Sequence, residues 1–326
     1  MNKYLKCFSI IVFLGLIFCV IFFFWASSSI FPEKEYAKLI TNNYPQKTNT
    51  DSIYSIVTYN IGYLSGMTNN KAVAKPKTLF DVNLATVKSE FKLLHADILA
   101  FQEIDYASAR SYEINQQNEI ASLGYNYVAQ AVNWDETYVP FPYWPPSMHF
   151  GKMLSGQSIL SKYPLKDHQR IVLHRVANAP FYRDAFYLER LAQVVTVSIE
   201  NKNIVVINVH LEAFDKTTRV QQFNDIMSLF HFYSEKYPTI LLGDFNSEAR
   251  SKDAIIQKLL NNKTIGTAAF NSSDPENTYD SKQPFKRIDY IFYTKNSIEY
   301  IDGQILTQFG QASDHLPVIM RFKLKK

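Results

Sequence analysis

The sequence predicts an α+β sandwich, two packed sheets covered by helices. Three observations carry this. Short apolar or alternating segments with strand character recur along the chain, separated by turn residues. Only a few amphipathic helical stretches interrupt them, which favours sheet packed on sheet over a regular alternation of strands and helices. The chain has 326 residues, 47% hydrophobic and 15% aromatic, enough for one large core or two modest ones.

The N-terminus carries Lys3 and Lys6, followed by the uncharged run FSIIVFLGLIFCVIFFFW from Phe8 to Trp25. The apolar core of a cleaved signal is usually ~7–15 residues and a spanning helix needs ~20, so this run stands nearer the second. Residues 1–30 read as an uncleaved single-pass membrane anchor, with signal cleavage near Ala26 and Ser28 as the alternative. Either way the basic flank stays inside and the rest crosses, leaving a membrane-anchored extracytoplasmic domain, or a secreted one if the leader is cut. Residues 31–52 are polar and read as a linker, and residues 53–326 as the folded domain. Both cysteines, Cys7 and Cys19, fall in the apolar run, which excludes a disulfide scaffold, a cysteine nucleophile and a thiolate zinc site in the folded domain. The formal charge of +4 includes Lys3 and Lys6, so the domain has no strong field for a polyanion. No repeat or low-complexity run is present.

The first strand is SIYSIVTYN, ending at Asn60. DVNLATVKSEFKLLHA spaces Leu84, Val87, Phe91 and Leu94 as one helical face. Strand ADILAFQEID carries Glu103, a helix is expected over about Ser108 to Leu123, and YNYVAQA reads as a strand. Further strands are QSILSKYP, LAQVVTVSIE, NIVVINVHLE, YPTILLGDFN, RIDYIFYT and HLPVIMRF, with helices over about Thr218 to Tyr233 and Lys252 to Leu260.

Polar residues cluster where these apolar strands end: Asn60, Glu103, His210, Asp244 and Asn246, Asp289, and Asp314 with His315. A polar group beside a core is costly unless paired, and any one of these alone would be an ordinary turn residue. Six such strand ends predict a common mouth offering acid oxygens, amide oxygens and two imidazoles, a hard-cation site with acid–base groups. Asp244 and Asn246 are one residue apart, so strand alternation would aim them at the same spot.

These motifs, in this order, resemble the endonuclease/exonuclease/phosphatase superfamily, metal-dependent phosphoesterases that include deoxyribonuclease I-like enzymes and neutral sphingomyelinases. GDFN and SDHLPV carry most of the resemblance, with TYN, FQE and RIDYIF in register, and it runs from about Tyr54 to about Met320. NVHLEAF followed by TTRVQQ is similar to the sphingomyelinase-like branch. GQSILSKYPL resembles the family's middle strand, with Gln157 where a glycine or another small residue is usual.

The resemblance implies a four-layer α/β/β/α sandwich of two mainly antiparallel sheets. It implies Mg²⁺, with Mn²⁺ or Ca²⁺ as alternatives, held by Glu103 with Asn60 beside it and by Asp244, Asn246 and Asp314. Asp244 and Asn246 would flank the attacking water or phosphate. His315 is the expected general base, oriented by Asp289, and His210 the expected donor to a non-bridging phosphate oxygen. Arg190 is a weaker candidate for phosphate, with an ion pair to Asp184 or Glu189 as the alternative; Arg219 is expected to support a helix start.

The expected activity is hydrolysis of a phosphodiester by metal-assisted water attack. A lipid or small organic phosphoester is favoured as substrate, an extracytoplasmic nuclease is second, and a silent binding module on the same fold third. The segment NWDETYVPFPYWPPSMHF, Asn133 to Phe150, reads as a stiff aromatic loop without regular structure. It suits a bilayer, a stacked base or sugar, or simple coverage of the sandwich. A nuclease would interleave Lys and Arg with such aromatics, and only Lys152 follows. Nucleic acid is therefore not favoured, the membrane is reached through the N-terminal segment, and no protein partner is evident.

Overall fold

In β3 (Ile98–Asp105), Ile98 and Ala100 face one core while Leu99 and Phe101 face another, and all four are buried. A strand that is apolar on both sides must lie between two packed layers, and this pattern organises the whole molecule. The computed structural model of the chain describes residues 3–46, 52–200 and 202–325.

In chain order the elements are α1 (Lys3–Ala26), β1 (Ala37–Thr41), β2 (Tyr54–Asn60), α2 (Lys77–Leu94), β3, α3 (Gln116–Ala121), β4 (Tyr127–Val139), β5 (Gly151–Ser161), β6 (Leu165–Val172), α4 (Phe181–Asp184), β7 (Leu191–Ile199), β8 (Lys202–His210), α5 (Lys216–Ser234), β9 (Thr239–Asp244), α6 (Gln257–Leu260), β10 (Ile265–Thr267), β11 (Asp289–Thr294), β12 (Ile298–Ile305) and β13 (Val318–Leu324). One sheet has the order β1-β4-β5-β3-β2-β13-β12 and the other β10-β11-β9-β8-β7-β6. Among the described strands only β2 with β3 and β8 with β9 pair in parallel. The inner faces meet through residues such as Ile56, Ile98, Val206, Leu242 and Met320. Phe80, Val87 and Phe91 of α2 cover the outer face of the first sheet, and Phe223, Ile226 and Phe230 of α5 that of the second. These are the four layers, α/β/β/α, that the sequence predicts.

Several expectations are corrected. Part of the segment expected as a linker is a strand: β1 pairs antiparallel with β4, Ala37 opposite Ala131 through Thr41 opposite Tyr127. Its exposures simply alternate, so its hydrophobic signal is weak. Residues 47–51, at the expected linker–domain boundary, lie outside the described residues. The aromatic segment is irregular only from Pro140, because β4 runs on to Val139 and pairs with β5 through two register shifts. The helix expected from Ser108 contracts to α3, capped by Asn115, whose side chain accepts from Asn118 N at 2.9 Å. Tyr112 and Glu113 before it have left-handed backbones. The helix expected from Lys252 contracts to the single turn α6.

Because β1 closes an open sheet edge and Tyr36, Ile40 and Tyr44 pack onto the α2-side core, a fragment starting at Ser52 should be less stable than one starting at Ser28. For a domain this size ~1 kcal/mol corresponds to roughly 2–4 °C, and we expect a difference of about 5 °C or more. Equal melting temperatures would show that β1 adds nothing.

Candidate active site

Strand register assembles the site. In the second sheet His210 of β8 pairs with Asp244 of β9, and Asp289 of β11 pairs with the same Asp244. Three chemically active residues thus form one row across three strands. In the first sheet Asn60 of β2 pairs with Gln102, which places Glu103 at the same edge. Glu103 lies where the β3–β5 register shifts, with φ near 52°, so a bulge redirects its side chain. Asp314 and His315 arrive on the turn before β13.

Asp244 is the hub. Asn60 Nδ2 donates to its Oδ2 at 3.0 Å, and the Asn246 backbone N–H donates to its Oδ1 at 2.9 Å. His210 Nε2 lies 3.5 Å and His315 Nε2 3.9 Å from Oδ2. Burial and the neighbouring Asp289 push the Asp244 carboxyl up to about 7. His315 Nδ1 donates to Asp289 Oδ2 at 2.9 Å, leaving Nε2 turned towards Asp244. Burial works against its charge, but Asp289, then Asp244 and Asp314, hold the imidazole well above its ordinary range.

The alternation argument for Asp244 and Asn246 does not hold in its original form. β9 ends at Asp244, and Asn246 has a left-handed backbone, φ near 48°. An Asx turn brings the two together, and the Asn246 amide donates to Leu211 O at 2.9 Å. Both residues still line the cleft.

His210 differs from expectation in its proton. Arg190 Nη1 is 2.6 Å from His210 Nε2, and since a guanidinium only donates, Nε2 accepts. The proton is on Nδ1, which is buried without a partner among the described residues. Burial, then Arg190 and His315, pull this imidazole well below its usual range, so it is neutral. Arg190, not His210, carries the N–H groups at this corner. It pairs with neither Asp184 nor Glu189, which engage Arg175 and Arg170. Its partners are Glu212 at 3.5 Å and Tyr187, whose hydroxyl donates to Glu212 at 3.0 Å. Arg219 lines the cleft and donates to the Glu212 and Ala213 carbonyls; the cap of α5 is Asp215.

Asn60 is not beside Glu103 in hydrogen bonding: its amide serves Asp244 and Gly62 N. The amide that bridges the acids is Asn69, which donates to Glu103 at 2.9 Å and to Asp314 at 3.2 Å. Nothing in the sequence marks Asn69, which comes from an irregular loop. Glu212 was within reach, two residues beyond His210 in NVHLEAF. Burial raises Asp314, with His315 opposing and Glu103 adding.

Beneath the site, amides cross between the sheets. Gln102 donates to Asn208 Oδ1 at 2.6 Å, Asn208 donates to Phe101 O at 3.0 Å, and Gln157 donates to Asn208 O at 3.0 Å. This answers why Gln157 stands where a small residue is usual: its amide reaches across to the other sheet. Above the site is a cleft of about 1070 Å³, lined by the site residues and by aromatics including Tyr63, Phe141, Phe186 and Phe214.

A two-sheet sandwich with this row of acids and imidazoles at one edge belongs to a known class. The chain is a member of the Endonuclease/Exonuclease/phosphatase family, whose model matches residues 57–315. Among solved structures it is similar to an endonuclease/exonuclease/phosphatase from Beutenbergia cavernae, at 19% identity and TM-score 0.61, covering 83% of this chain and 72% of that one. It is similar to the human Nocturnin catalytic domain with bound sulfate, at 18% identity and TM-score 0.57, covering 91% and 100%. It is also similar to a humanized D. rerio TDP2, at 14% identity and TM-score 0.57, covering 84% and 100%. At these identities the likeness is one of fold. No curated protein sequence matches the chain.

Asn208→Ala removes bonds on both sides of the inter-sheet seam: Gln193 Oε1 and Phe101 O lose the Asn208 donor, and Gln102 Nε2 keeps only Thr58. Orphaned buried polar groups cost about 1–3 kcal/mol each, so urea unfolding should show a loss of about 2–4 kcal/mol. A loss under about 0.5 kcal/mol would mean that the seam is not held by these amides.

Proposed function

We propose that the chain is a divalent-metal-dependent phosphodiester hydrolase acting outside the cytoplasm on a lipid or small organic phosphoester. The observation that carries this is the convergence, at one end of one cleft, of a carboxylate-bound imidazole (Asp289–His315), a set of acids (buried Asp244, half-buried Glu103 and Asp314) and a guanidinium (Arg190).

The donor set suits a hard cation. Glu103 and Asp314 share one amide donor, Asn69 Nδ2, so most of their lone pairs are free, and they crowd negative charge into a buried corner. Asp244, Asp289 and His315 also lie close enough to form a ligand group, within 4.8 Å of one another. Asp289 and the His315 Nδ1 are already bonded to each other, so Glu103 and Asp314, with the Asn60 and Asn246 amides and Asp244 nearby, fit the ion better. When bound there, Mg²⁺ supplies Lewis-acid stabilisation of charge on the phosphoryl and leaving oxygens.

The chain's own residues do the rest. The carboxylates around His315 favour its protonated form, so the reactive form is the one in which Nε2 has first given its proton to solvent; there Nε2 accepts a proton from a water whose oxygen bonds to phosphorus, and the bond from phosphorus to the leaving ester oxygen breaks. Asp289 fixes the tautomer with Nδ1 protonated and offsets the imidazolium charge. Asp244 and Asn246 position the water and phosphate. Arg190 offers its N–H groups to a non-bridging oxygen, with His210 holding its direction and Glu212 and Tyr187 bracing it. The leaving oxygen departs with a proton from solvent or from the His315 imidazolium.

Turnover of a soluble phosphodiester dye with Mg²⁺ should be abolished by EDTA and restored by added metal. Glu103→Gln should lower that turnover by about 10²-fold or more with little change in melting temperature, since the charge rather than the volume holds the cation. Wild-type turnover of this variant at low Mg²⁺ would remove Glu103 from the metal site. Parallel assays on plasmid DNA and on sphingomyelin or phosphatidylinositol vesicles separate nuclease from lipid hydrolase.

His315→Ala should nearly abolish turnover and Asp289→Asn should reduce it strongly. Because the two act as a unit, the double variant should be little worse than His315→Ala alone. Near-normal turnover with additive losses in melting temperature would instead make the pair a purely structural contact.

A further inference from the structure

The apolar helix and the cleft are physically joined. α1 spans 24 residues, which at ~1.5 Å per residue is about 36 Å, long enough to cross a bilayer, and it is almost wholly uncovered. Its last turn is not free. Phe22 and Trp25 stack on Tyr138 at 5.9 and 6.0 Å, and Phe23 meets Phe181 and Phe186 at 5.7 Å each. Phe186 also lines the cleft, so one side chain separates the end of the helix from the cleft interior.

The chain leaving the helix is stitched down as well. Thr137 N donates to Ser28 O at 2.8 Å, and Ile30 N and Phe31 N donate to the Asp135 carboxylate at 3.1 and 2.8 Å. A helix exit bonded at this many points fixes the domain's orientation to the helix axis. Phe181 is 76% exposed; Tyr143 and Phe214, which line the cleft, are 67% and 78% exposed, and Trp144, next to Tyr143 in the chain, is 79% exposed. Large aromatics left this bare on a water-facing surface are costly, whereas aromatic rings are favoured at the level of lipid head groups.

Depth follows from contact. If Phe8 to Trp25 lies in hydrocarbon, then Phe22 and Phe23 are within about one turn, ~5 Å, of its boundary. Phe181, Phe186 and Tyr138 pack against those two rings and share their depth. We infer that the aromatic rim formed by Tyr143, Trp144, Phe181, Tyr182 and Phe214 is a bilayer-docking surface, held by α1 so that the cleft opens onto the leaflet the helix emerges from. The occupant is the bilayer itself. Phosphoester head groups of that leaflet then reach Arg190 and His315 while their chains remain against the aromatic wall; this last statement rests on the phosphoesterase reading, and the docking does not.

The test uses the full chain in phosphatidylcholine nanodiscs, with and without phosphatidylcholine brominated near the top of its acyl chains. Subtracting the fluorescence of Trp144→Phe from that of the wild type isolates Trp144. Docking predicts that brominated lipid quenches this component by at least half. A Trp144 component that bromine leaves unchanged overturns the inference, and a second copy or a soluble partner would then be what covers the rim. In a second measurement, Phe181→Asp should lower hydrolysis of sphingomyelin or phosphatidylinositol in the disc at least 10-fold and leave turnover of a soluble phosphodiester dye within twofold. Equal loss on both substrates, or on neither, also overturns it. If the wild type hydrolyses no phosphodiester but Trp144 is quenched, the phosphoesterase reading fails and the docking surface stands.

Discussion

The site depends on one constraint, that two separately built sheets meet in a fixed register. Asn208 enforces it. From the second sheet its amide donates to Phe101 O and accepts from Gln102, while its own carbonyl takes the Gln157 amide. Apolar packing between sheets is non-directional and would tolerate a slip, whereas buried amides do not, because an unmatched one is expensive. The residue after Gln102 is Glu103, and two residues after Asn208 is His210. Locking those two amides together therefore locks acid against imidazole, 3.8 Å apart.

From that seam outward the site is a graded accumulation of buried charge. Asp244 receives Asn60 from one sheet and faces His210 and His315, with Asp289 beside it in the ladder. Four carboxylates and two imidazoles in one buried corner would be prohibitive without compensation. Arg190, Asn60 and Asn69 provide part of it. The charge left uncompensated is the feature on which the proposed cation site rests. Strain points the same way, since Glu103 and Asn246 both adopt left-handed backbones that non-glycine residues seldom take.

The cleft lining also carries rings. Tyr63 carries the Arg110 guanidinium 3.3 Å over its face, and Arg110 is in turn paired with buried Asp105. This makes the inner wall rigid. Further out, the wall merges through Phe186 into the end of α1, so a single continuous surface runs from the acids of the site to an apolar helix. The orientation of α1 to the domain is then a property of the fold, with the chain between the helix and the domain acting as a brace.

Much of the fold was legible in the sequence because its signals are local. The apolar faces of β2, β3, β8 and β9, the amphipathic α2 and the charge-free α1 all follow from side-chain periodicity, which burial of each face requires. Elements with half-exposed faces, β1, β6 and β12, lack that signal and are specified only by the partner strands they lie against. The site divides in the same way. Glu103, Asp244, Asp289 and His315 stand at the ends of strong strands and could be picked out as a set. Asn69, Tyr187, the His210 tautomer and the meeting of α1 with the cleft could not, because each depends on residues distant in sequence that only tertiary packing brings within hydrogen-bonding or van der Waals range. The sequence by itself determined which strands form and which polar residues end them; the tertiary structure decided which of those residues touch, because register between sheets is set by contacts no local pattern encodes.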